Sequence, residues 1–151
     1  MDNNRSNISN ISDQREKEED FVLMESFLEH TADTIIISAA DEIVVRVNEA
    51  FEDMFGFDRN EVMGIKHSEL PVIPKNITYQ FEKMMVKIKA GESVTINEGI
   101  RITKEGKVIP VSINYSPIRN HRGQVVAYSS IYRDITPLKE LEIAIEKRKK
   151  V

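Results

Sequence analysis

The chain has no cysteine, and that one absence removes disulfides, thiolate nucleophiles and any cofactor tethered through sulfur. No apolar run approaches the roughly 20 residues of a membrane span, and the polar start from Met1 to Asp20 lacks the hydrophobic stretch of a secretory signal. A cytoplasmic location follows as the expectation, with no membrane contact by this segment. Asn7, Asn10 and Asn76 stand in glycosylation sequons, to which an unsecreted chain gives no weight. Positive charge is not in excess: the formal net charge is −4, and without a surplus of Lys and Arg to neutralise phosphates no nucleic-acid partner is expected. Histidine is scarce, with three residues far apart in sequence. No glycine-rich phosphate loop, nucleophile with its base, carboxylate pair or metal-ligand spacing is present, so no catalytic residues and no metal ligands are assigned and an enzyme is not expected.

What is present is an ordinary globular composition: 151 residues, 40% hydrophobic and 30% charged, enough to bury one core. Residues 1–13 are Asn- and Ser-rich and read as a flexible tail. Asp13 and Glu16 have the spacing of a capping box, after which Phe21, Met24, Phe27 and Leu28 recur at helical spacing, predicting an N-terminal helix over 14–31. The pattern then switches to β-branched strands, Thr34 to Ala39 and Ile43 to Val47, around a turn at Asp41 and Glu42. Asn48 is placed to cap a short helix ended by Gly56, and Asn60 to Gly64 suggest another turn. Ile77, Phe81, Met84, Met85 and Ile88 form one stripe of a longer helix, Lys75 to Ala90. Three extended segments close the domain: Ser93 to Thr103, Val108 to Ile118 and Gln124 to Asp134. Pro110 predicts an irregularity in the second of these, with regular pairing resuming by Ser112. Thr136 and Pro137 open a C-terminal helix over 135–151, with Leu138, Leu141 and Ile145 at coiled-coil spacing. The fold class is α+β, a core over 32–134 in which helices cover one face of a five-stranded antiparallel sheet.

Several segments resemble one family at matching separations. Val47-Asn48-Glu49-Ala50-Phe51, Phe55-Gly56-Phe57 and Glu61-Val62-Met63-Gly64 are similar to the front half of a PAS domain. Lys104-Glu105-Gly106-Lys107, Ser116-Pro117-Ile118, Gly123-Gln124-Val125 and Arg133-Asp134-Ile135-Thr136 are similar to its back half. The resemblance spans about Glu25 to Leu138 and implies a sheet of order 2-1-5-4-3. It also implies a sensory role, typically in a bacterial signalling protein such as a histidine kinase of a two-component system or a cyclic-dinucleotide enzyme. Glu42 departs from the pattern, since many relatives carry Gly in the first hairpin turn.

Alternation along the strands puts Val111, Ile113 and Tyr115 on one face and Tyr128, Ser130 and Tyr132 on one face of the next strand. In flavin-holding relatives the matching positions face the pocket. Counting back from Gly106 adds Asn97, Gly99 and Arg101, and the long helix contributes Phe81 and Met85. An inward Arg101 would be a buried charge needing an anionic ligand or an internal carboxylate, Glu98 or Glu52; the favoured expectation is that it snorkels to solvent.

The light-sensing LOV branch of the family carries an Asn-Cys motif just after the position of Gly64, where this chain reads Ile65-Lys66-His67-Ser68. A cysteinyl-flavin adduct is therefore excluded. Haem is not expected either, because Lys75 to Ala90 holds no histidine. The cofactor stays unassigned, with a small-molecule ligand as the open possibility. The basic run from Lys147 to Lys150 reads as a solvated helix end. Asp134 and Thr136, at the strand-to-helix junction, are the expected signal relay to a C-terminal output domain that this chain does not contain. The apolar residues of the flanking helices predict a homodimer. The competing expectation is a ligand-free PAS-like dimerisation and docking module.

Overall fold

The computed structural model describes residues 3–150. Its elements are α1 (Asn3–His30), β1 (Thr34–Ala39), β2 (Val44–Val47), α2 (Glu49–Phe55), α3 (Arg59–Val62), α4 (Thr78–Lys89), β3 (Val94–Ile102), β4 (Val108–Arg119), β5 (Val125–Asp134) and α5 (Thr136–Lys149). Single 3-10 turns occur at His67–Glu69 and Lys75–Ile77. The strands pair antiparallel in the order β2-β1-β5-β4-β3, as expected.

Sequence chemistry accounts for each boundary near the sheet. Asn48 accepts from the backbone N–H of Phe51 and starts α2, and Gly56, at φ 77°, ends it in the left-handed region that a side chain resists. Asp58 and Glu61 form a reciprocal capping box on α3. The turn between β1 and β2 places Glu42 at φ 70°, the left-handed conformation that glycine adopts without strain, and Lys89 pairs with its carboxylate at 2.8 Å. On α4, Phe81, Met84, Met85 and Ile88 are buried against the sheet, where they meet Ile109, Val111 and Ile113 of β4. Burying each such side chain contributes about 1.5–3 kcal/mol.

Three expectations are corrected. Residues 3–13 are helical, continuing α1, so the loose tail is not seen there; residues 1 and 2 of that tail, and Val151 of the C-terminal helix, lie outside the described residues. The helix passes through Asp13 without a cap because each added turn extends an existing helix and nucleation is not repeated. Pro110 sits in regular pairing opposite Ile100, at the end of the ladder where its carbonyl accepts from Ile135 N–H, so its missing donor leaves no gap. The irregularity lies across from it, in β3: Ile96 pairs with Ile113 and Gly99 with Val111, so Asn97 and Glu98 together oppose Ser112. This bulge inserts one residue and reverses the facing of everything before it.

Candidate functional site

The bulge decides what β3 offers to the interior. Val94, Ile96, Gly99 and Arg101 face α4, whereas Asn97 points to solvent and is withdrawn as a pocket residue. Between β3 and α4 lies an open, mainly apolar cleft of about 410 Å³, lined by Ile77, Phe81 and Met84 on the helix side and by Val94, Ile96 and Arg101 on the strand side. Its size falls within the range of small-molecule sites. Gln80, Glu98, Gly99 and Ile100 complete the walls.

Arg101 is 2% exposed, so it does not snorkel to solvent. It turns inward because the strand phase after the bulge leaves it no outward path. One Nη donates to the Ile100 carbonyl and the other to the Tyr115 hydroxyl, both at 2.7 Å. The guanidinium also lies 5.6 Å from the centre of the Tyr132 ring, within cation–π range. Neither internal carboxylate considered for it is used: Glu52 pairs with Arg59 and Glu98 with Lys139 of α5, each at 2.6 Å. Arg101 Nε is buried without a hydrogen-bond partner.

From Arg101 a line of hydrogen bonds crosses the core. The Tyr115 and Tyr132 hydroxyls are 3.3 Å apart, Tyr132 is 3.3 Å from His67 Nε2, and His67 Nδ1 is 3.1 Å from Ser38 Oγ. Arginine only donates, so Tyr115 accepts from it, while each hydroxyl further along the line can donate or accept. The neutral His67 ring, with one nitrogen donating and the other accepting, satisfies both Tyr132 and Ser38 in either tautomer. Burial pushes the His67 pKa down to about 3, with Arg101 adding to the effect, so the ring is neutral at physiological pH. Burial likewise pushes the Tyr115 phenol up and keeps it protonated. The ring of His67 stacks on Phe81, with centres 5.1 Å apart, and both its nitrogens are engaged, so it offers no lone pair to a haem iron.

The candidate residues therefore divide. Phe81 and Arg101 line the cleft; Tyr115, Tyr132 and their neighbours Val111, Ile113, Met85 and Ser130 form the packed wall behind it; Tyr128 is half-buried to one side. Sequence reading set His67 near the pocket without a role, left Met84 as a core residue of the α4 stripe, and missed Val94 and Ile96 as cleft residues because the bulge has no local signature.

At the junction, Asp134 Oδ1 accepts from the N–H of Thr136 at 2.8 Å and from its hydroxyl at 2.6 Å. Asp134 is thus the acceptor that holds the start of α5, and Thr136 is a donor to it, in place of the cap expected of Thr136. Ile135 between them is buried, and Lys139 in the next turn reaches Glu98 at the mouth of the cleft.

Asn48 has a wider role than capping α2. Its Oδ1 accepts from Ile35 N–H and Phe51 N–H, while its Nδ2 donates to the carbonyls of Leu28 and Asp33, each at 2.9 Å. It ties α1, β1 and α2 together. Arg59, bridging Glu29 and Glu52, and Arg46, pairing with Glu25, fasten the same end of α1 to the domain.

Comparison with solved structures places this architecture. A PAS domain from Colwellia psychrerythraea superposes with a TM-score of 0.67 at 18% identity, covering 78% of this chain and 98% of that one. The PAS domain of an HTR-like protein from Haloarcula marismortui gives a TM-score of 0.63 at 23% identity, covering 78% and 99%. An RNA-binding light-oxygen-voltage receptor gives 0.67 at 22% identity over 85% of this chain, which spans 36% of that receptor. Among the described residues no helix is long and apolar enough to cross a membrane. The family model for the PAS domain matches residues 32–137, from the start of β1 to the first turn of α5, and the chain belongs to that family.

Proposed function

We propose that this chain is a non-catalytic sensory domain that takes a small molecule into the cleft between α4 and β3 and relays its presence through the Asp134–Thr136 junction to a C-terminal output domain. The observation that carries the reading is the continuity between cleft and junction. Arg101 at the cleft is hydrogen-bonded to Tyr115, and Tyr115 to Tyr132 of β5, the strand that ends at Asp134. A second link runs outside the core, from Glu98 at the cleft mouth to Lys139 on α5. A ligand that displaces either group acts on the root of α5 directly. A change of about 1 kcal/mol there shifts a two-state equilibrium about fivefold.

A ligand-free dimerisation module is the second reading, favoured by the apolar residues left uncovered on the flanking helices. Phe21, Val22, Leu23, Met24 and Phe27 of α1 are each more than 60% exposed, as the individual values of 62–68% show. We propose a homodimer through these helices under either reading, since one solvated helix does not need so much apolar surface. Native mass spectrometry of the purified chain separates the two. A copurified small molecule supports sensing, whereas an empty dimer that loses its mass doubling on deletion of residues 1–26, and binds nothing from a metabolite collection, leaves only the docking role.

A further inference from the structure

The buried charge of Arg101 has no partner of opposite sign. It appears in none of the ion pairs among the described residues. Its neighbours in the hydrogen-bond line are two phenols, a neutral imidazole and a serine, all uncharged. A guanidinium does not deprotonate in proteins, so the domain carries an uncompensated cation in its interior. Such a charge is among the costliest groups to bury, and removing it in favour of an apolar side chain of similar volume is commonly stabilising. Its retention beside an open cleft, with Nε aimed at no protein acceptor, is explained by an anion that the protein itself does not supply.

The rest of the cleft says what kind of anion. Phe81, Met84, Ile77, Val94 and Ile96 present apolar surface next to the guanidinium, and the single carboxylate on the wall, Glu98, is held away by Lys139. A small, fully hydrated oxyanion would gain nothing from that surface and would lose its water. Resting on the ligand-sensing reading above, we infer that the ligand is an amphipathic monocarboxylate: its head group accepts from Arg101 and its hydrocarbon tail lies along the face of α4 between Phe81 and Ile96. A carboxylate head matches the planar guanidinium, and the tail buries apolar area that is otherwise open to solvent.

Calorimetric titration of the full 151-residue chain at neutral pH with sodium octanoate, octanol and inorganic phosphate tests the inference. Octanoate is expected to bind about ten- to a hundredfold more tightly than octanol, the worth of a charge-assisted hydrogen bond, and phosphate not measurably. Arg101→Met should raise the melting temperature of the free protein and abolish the preference for octanoate, while Arg101→Lys should keep part of it. Octanol binding as tightly as octanoate, or an unchanged octanoate affinity in Arg101→Met, overturns the anion inference and leaves ligand sensing standing. Phosphate binding as well as octanoate overturns the amphipathic assignment in favour of a simple oxyanion. Binding of none of the three overturns the inference outright, and a copurified neutral molecule in the native mass spectrum would then preserve the sensing role without it. Should Arg101→Met fail to fold, the octanoate-to-octanol ratio in the parent and in Arg101→Lys decides the matter unaided.

Discussion

The Tyr115 hydroxyl accepts a 2.7 Å hydrogen bond from Arg101 and stands 3.3 Å from the Tyr132 hydroxyl, so one phenol connects the cleft to the last strand. Tyr115→Phe keeps the ring volume but leaves a guanidinium N–H without its acceptor in a buried site. The loss should be about 1–3 kcal/mol in urea unfolding. In an Arg101→Met background the same change should cost clearly less, because the stranded donor is gone. Tyr128→Phe, at a half-buried tyrosine outside this line, serves as the near-neutral comparison. Equal costs for Tyr115→Phe in both backgrounds would show that the bond carries no net energy.

His67 gives the domain an acid-side sensitivity whose sign can be worked out. Its folded pKa is pushed down to about 3 by burial and by Arg101, against an unfolded value near 6.5. Between those values the unfolded chain binds a proton that the folded chain does not, so stability falls as the pH falls. The contribution is fully present above about pH 6.5 and declines toward pH 3, at up to about 1.4 kcal/mol per pH unit. His67→Gln should flatten the profile of unfolding free energy between about pH 6 and 4, whatever it does to the absolute stability at neutral pH. A profile of unchanged slope would mean that His67 is not the group responsible.

Much of this architecture is legible in the residues themselves, and the failures have one physical character. Helix stripes, turn glycines and strand alternation are local, which is why the four buried residues of α4 and the inward faces of β4 and β5 agree with expectation; the sheet order is not local, and its agreement comes from the family resemblance. The phase of β3 is not local: a bulge between Ile96 and Gly99 reverses it, and nothing in Asn97 or Glu98 announces the inserted residue. Counting back from Gly106 therefore gave Arg101 and Gly99 their correct face and Asn97 the wrong one. The burial of His67 was equally hidden, since it depends on Ser38, Phe81 and Tyr132, which come from distant parts of the chain.

Asn48 is expected to be the most sensitive polar residue near the N-terminal helix. It is 1% exposed and satisfies two backbone N–H groups and two carbonyls from three elements. Asn48→Ala strands those groups and should cost about 3 kcal/mol or more, above the roughly 1 kcal/mol of an ordinary helix cap. Hydrogen exchange should show faster opening at Ile35 and Phe51 together with fraying of the last turn of α1. A cost no larger than a simple cap would mean that α1 is held by its ion pairs and not by this side chain.

The junction is where stability and signalling should separate. Asp134 holds the first turn of α5 through the N–H and hydroxyl of Thr136, yet both bonds lie at the surface and outside the hydrophobic core. Asp134→Ala should therefore cost only about 1 kcal/mol of stability, as a lost cap does. Glu98→Gln, which removes an exposed partner of Lys139, should cost less still, since surface ion pairs are worth about 0–1 kcal/mol. An equilibrium between two output states needs no more than that to move several-fold, so both substitutions should disturb the relay before they disturb the fold. Fused to a kinase or cyclase reporter, Asp134→Ala and Glu98→Gln should shift output or its ligand dependence while melting within a few degrees of the parent. Thr136→Val, which keeps the backbone bond and loses the hydroxyl, should give an intermediate effect. If output stays at the parental level while the melting temperature collapses, Asp134 is a structural anchor and the route from cleft to α5 does not run through it.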